Sequence, residues 1–145
     1  MPITLTVPEG LLSSEAEAQV FDALTQALLE VNELSSNTFM EPNVVGTINV
    51  LPRQHVFAGG LSAAAAFIEL KLPSIALSTD EAKQAFIERA TDAVERAAQG
   101  RVRRDHIWTN IVYAADGSWG IGGRGFTNGD LVAEIQNAAQ SASAA

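Results

Sequence analysis

The chain has 145 residues, 47% of them hydrophobic, which fits one packed domain and excludes disorder over most of its length. Nine basic residues against 17 acidic ones give a net charge of −8, a surface that repels phosphate backbones and argues against nucleic acid as a partner. The absence of cysteine excludes disulfides, thiolate metal sites and a cysteine nucleophile.

The N-terminal stretch Met1 to Val7 lacks the basic and long apolar regions of a signal peptide. The longest apolar run, Ala63 to Ile68, is far too short to cross a bilayer. The expectation is a cytoplasmic protein with no membrane partner.

The first element is an alternating segment, Ile3, Leu5 and Val7, which reads as a strand with one buried face, closed by Pro8. A helix follows. Ser14 and Glu17 have the spacing of a capping box, and Ala16, Val20, Ala23, Leu24, Ala27, Leu28 and Val31 make one apolar stripe. A second strand is expected over Val44 to Leu51.

The same order then recurs. Pro2 to Phe21 and Phe67 to Phe86 match at seven of 20 positions, among them Ile3/Ile68, Pro8/Pro73 and Phe21/Phe86. The second half again shows alternation (Ile68, Leu70, Leu72), a capping-box spacing (Ser78, Glu81) and an apolar stripe that includes Phe86, Ala90 and Val94. Gly100 is the expected helix stop, and a strand is expected over Ile107 to Ala114. Gly59-Gly60 and Gly122-Gly123 are matching positions late in each half. The expected fold class is α/β, with two β-α-β repeats (2–60 and 67–123) in one domain over 1–127. They form a four-stranded sheet with both helices on one face. From Asn128 the tail reads as a short amphipathic helix to Gln140, using Leu131, Val132 and Ile135, with a frayed end at 141–145.

By alternation, Val44, Ile48, Val50, Ile107, Ile111 and Tyr113 belong to the helix-covered face. Thr4, Thr6, Asn49, Glu69, Lys71, Trp108 and Asn110 belong to the other. Parallel strand pairs are rarely left open on one side, so that uncovered, half-apolar face points to self-assembly.

Pro2 opening a doubled β-α-β chain resembles the tautomerase superfamily, over Pro2 to about Phe126. Further segments are similar to that family. They are Val50-Leu51-Pro52-Arg53-Gln54 with Gly59-Gly60, Leu72-Pro73-Ser74-Ile75, Asp105 to Asn110, and Trp119-Gly120-Ile121-Gly122-Gly123. The resemblance implies an N-terminal proline amine as general base after loss of Met1. It also implies a homotrimer that pairs one chain's proline with its neighbour's Trp108 and Asn110. Ile75 would line the pocket through its backbone, and Trp119 would wall it. The family's usual carboxylate clamps are absent: Glu9-Gly10-Leu11 and Trp108 stand where arginines occur, and Ser74-Ile75-Ala76-Leu77 where paired arginines occur. Lys71, Arg53 and Arg124 remain as candidate partners for a substrate anion.

Each residue also has a plain structural reading. Pro2 can simply open a strand, Asn110 can tie a neighbouring backbone, and Trp108 and Trp119 can be packing residues. His55 and His106 have no ligand spacing, so neither metal nor cofactor is expected. The implied function is keto–enol or allylic tautomerisation of a small α-keto or β-keto compound. Pro2 would take the proton and Asn110 would hold the enolate oxygen. Two alternatives stand beside it: hydration chemistry of the dehalogenase or decarboxylase kind, and a non-catalytic trimeric interaction protein with a vestigial site.

Overall fold

A computed structural model describes residues 1–145. The first half comprises β1 (Pro2–Pro8), α1 (Ser14–Val31) and β2 (Val45–Leu51), followed by a small hairpin, β3 (Phe57–Ala58) and β4 (Leu61–Ser62). The second half repeats the order with β5 (Ala66–Pro73), α2 (Asp80–Ala98) and β6 (Ile107–Ala114). Its hairpin is β7 (Trp119–Ile121) and β8 (Arg124–Phe126). The chain ends with α3 (Asn128–Ser143).

The main sheet runs β2-β1-β5-β6, with β1∥β2 and β5∥β6 parallel and β1 against β5 antiparallel. Each parallel pair is the outcome of a helical crossover, and the antiparallel seam joins the two repeats about a pseudo-twofold axis. Ile3, Leu5 and Val7 of β1 and Ile68, Leu70 and Leu72 of β5 are all buried beneath α1 and α2, as the alternation requires. The helices contribute Leu24, Leu28, Phe86, Ala90 and Val94 to the same core.

Both helices start one residue away from the expected capping positions. Ser13, not Ser14, accepts from Ala16 N, and Thr79, not Ser78, accepts from Ala82 N. Each half offers adjacent hydroxyls, and burial of the preceding Leu11, Leu12 and Leu77 fixes which one reaches the helix end. Position N3 is then alanine, so no reciprocal box forms. The capping box of this chain is on α3, where Thr127 and Asp130 bond each other's backbone N–H groups.

Two further expectations change. Val50 and Tyr113 lie on the helix side but are 45% and 37% exposed. They sit near the C-terminal ends of the outer strands β2 and β6, at the margin of the sheet. The last helix continues to Ser143, past Gln140, so the expected frayed segment is mostly helical. It is anchored by buried Leu131 and by Asn37 Nδ2, which donates to the Ile135 carbonyl at 3.1 Å.

The two Gly-Gly pairs are hairpin tips. Gly59 and Gly60 have φ of 59° and 80°, and Gly122 and Gly123 have 59° and 84°. Successive positive φ values are what a two-residue turn of this hand requires, and glycine adopts them without strain.

Candidate active site

The uncovered sheet face is a grid fixed by strand register. Thr4 lies between Thr47 and Glu69, with Asn110 beyond Glu69; Thr6 lies between Asn49 and Phe67, with Trp108 beyond Phe67. The same register places Pro2 between Val45 and Lys71, with Val112 beyond. Strand spacing and rise then put Asn110 roughly 12 Å from Pro2 of its own chain, and Trp108 roughly 16 Å away. Both stand on the edge strand β6, and Trp108 is 59% exposed. The chain does not bring them to its own proline.

It brings other groups there. A cavity of about 400 Å³ is lined by Met1, Pro2, Asn43, Val45, Lys71 and Trp119, with Ala114, Ser118, Gly120 and Ile121. Trp119 reaches it because the β7–β8 hairpin folds over the end of the sheet. Its ring packs edge-on against Phe126, with centroids 6.0 Å apart, and it is only 8% exposed. Lys71 stands beside Pro2 and pairs with Glu69 at 3.2 Å, two residues along the same face. That pair is largely exposed, so its contribution to stability is small.

The other two candidate cations are elsewhere. Arg53 Nε donates to the Glu9 carbonyl at 2.9 Å, at the far end of β1. The Arg124 guanidinium lies 4.5 Å over the Phe126 ring and bonds Glu134 at 3.1 Å. Ile75 lines a second cavity, not the one at Pro2. No group of three His, Asp or Glu side chains converges where a metal could be held.

The sequence marks Met1 only as a residue to be lost, and the structure adds that it is buried. It is 2% exposed and part of the main core. Its amine donates to the Asn43 carbonyl, and burial lowers the amine's pKa from 8.0 to about 5. Lys71 was legible as a face, but its place beside Pro2 needed the antiparallel register of β1 on β5.

No family model matches the chain, and no curated protein matches its sequence. Solved structures do. A fused 4-OT described as a wild-type asymmetric trimer superposes with a TM-score of 0.74 and 20% identity, over 90% of this chain and 98% of that one. A protein named N1, a member of the cis-3-chloroacrylic acid dehalogenase family, gives 0.73 and 17%, over 94% and 99%. Macrophage migration inhibitory factor of Toxoplasma gondii gives 0.64 and 19%, over 87% and 100%. The chain therefore has the tautomerase-superfamily fold, an α/β fold with a four-stranded mixed sheet. No helix is long and apolar enough to cross a membrane.

Proposed function

We propose that this protein is a proline-dependent tautomerase of small α-keto or β-keto compounds, working as a homotrimer with three shared pockets. The observation that carries the reading is the position of Pro2. It opens β1 on the uncovered sheet face, in a cavity walled by Trp119 and next to Lys71.

Removal of Met1 turns the Pro2 nitrogen from an amide into a secondary amine. Closure of the pocket by a neighbouring chain would bury this amine and favour its neutral form. A neutral amine takes a proton from the carbon next to the carbonyl. The C–H electron pair becomes the new C=C bond, and the carbonyl π pair moves to oxygen. Asn110 of a neighbouring chain donates to that enolate oxygen, with Trp108 Nε1 beside it. The prolinium then returns the proton to a different atom.

The proline's distance from its own Asn110 and Trp108 supports a shared pocket. So does the apolar exposure of Val45, Phe67, Trp108 and Val112 on one face. The trimer of the fused 4-OT relative provides the template for closing three such faces on one another.

The test begins with the mass of the purified chain, which must lack Met1. Processed protein is then assayed on a panel of enols, with Pro2→Ala as control. Turnover that falls at least about 100-fold in the variant supports the reading. A processed trimer that turns over no enol favours the non-catalytic alternative.

A further inference from the structure

Met1 is a wall of two cavities at once. One is the Pro2 cavity. The other, about 150 Å³, lies beneath α3 and is lined mainly by Leu34, Met40, Ile75, Ala76, Leu131 and Val132. No other residue lines both. Met1 therefore lies between the site of chemistry and an apolar pocket under the C-terminal helix.

The second cavity is apolar in more than composition. Its polar side chain, Asn32, is tied to backbone through both amide atoms: Nδ2 donates to the Leu28 carbonyl at 2.8 Å, and Oδ1 accepts from Leu77 N at 3.0 Å. An apolar cavity of this size accepts small apolar ligands.

We infer that loss of Met1 opens a slot from the Pro2 amine to the space under α3, and that this slot takes the unbranched apolar chain of the substrate. The inference rests on the proposed function, because only the processed chain has a free proline amine. The occupant's chemistry is read from the side chain now seated there. Methionine is an unbranched thioether of about four chain atoms, so the fitting group is a linear alkyl or thioether chain of that length or slightly more. The substrate class becomes a keto compound with such a chain on the side away from the enolising carbonyl. The N-terminal methionine has two effects when present: it blocks the amine and it fills the chain's place.

The experiment measures binding by titration calorimetry and turnover by enol absorbance, on processed protein, for 2-oxobutanoate, 2-oxohexanoate and 2-oxooctanoate. Burial of each added methylene should tighten Kd about fourfold until the slot is full. Protein made with methionine aminopeptidase inhibited, and shown by mass to retain Met1, should lose that dependence. Val132→Phe, which fills the slot from α3, should also flatten the series. Ile135→Phe serves the same purpose if the first variant does not fold. Affinities independent of chain length in folded, processed protein would overturn the slot, even if all three compounds are turned over. Chain-dependent binding without any turnover would keep the slot and reject the tautomerase reading.

Discussion

Pro2 and Asn110 lie on the same open face of the sheet, two strands apart and in different rows, so one chain cannot bring them together. A pocket that uses both must be assembled from two chains. Mixing folded Pro2→Ala and Asn110→Ala chains tests this. Each parent should be at least about 100-fold impaired. Random co-assembly should restore about a quarter of wild-type activity, because some interfaces then pair an intact proline with an intact asparagine. No recovery despite proven mixing would put the active site within one chain.

Gly46 tests the packing that holds the proline strand. A Cβ at this position would fall 1.9 Å from the Ile3 carbonyl oxygen and 2.7 Å from Phe21 Cζ. Neither can yield easily, since one is backbone in the adjacent strand and the other is held by α1. Gly46→Ala should cost about 3 kcal/mol, seen as a fall in Tm of roughly 10 °C. A change within about 2 °C would mean that β2 packs on β1 less closely than described.

The two tryptophans report different events. Trp119 is buried in the hairpin, whereas Trp108 is open on β6. In Trp119→Phe the remaining emission comes from Trp108. On dilution below the assembly constant it should shift to the red and become readily quenched by acrylamide. A spectrum independent of concentration, with sedimentation as a monomer throughout, would reject assembly through this face.

Most of this architecture was legible because the chain states it twice. A period-2 run, a helical stripe and a second strand recur at matching positions, and Ile3/Ile68 and Leu5/Leu70 carry the buried face in both copies. Helix caps were less legible, since Ser13-Ser14 and Ser78-Thr79 each offer two neighbouring hydroxyls. Only the burial of the leucines before them decides between the two. The site was legible as a set of faces. Its distances were not, because alternation says which side a residue takes and register says which residue it meets. Lys71 illustrates the gap: its face was readable, its neighbour Pro2 was not. The burial of Met1 was not legible either, because residues far apart in sequence, among them Met40, Ala76 and Leu131, share its cavity wall.

Chains that keep Met1 should lose stability as the pH falls from 8 to 5. Burial lowers the pKa of that amine from 8.0 to about 5. The unfolded chain therefore holds a proton between pH 8 and 5 that the folded chain does not. Stability depends on pH through that difference: it is full above about pH 8, declines as pH falls through the window, and levels off below about pH 5. Three pH units at this slope correspond to a loss on the order of 4 kcal/mol. Other shifted groups act outside the window. Asp105 is lowered by its bond to Arg103, and Asp130 by its bonds to Thr127, so both titrate below it. Burial raises Tyr113, which titrates above it. Denaturant unfolding of Met1-retaining protein at pH 8, 7, 6 and 5 should show the decline. N-terminal acetylation removes the titrating amine and should abolish it. An equal slope in acetylated chains would assign the decline to other groups.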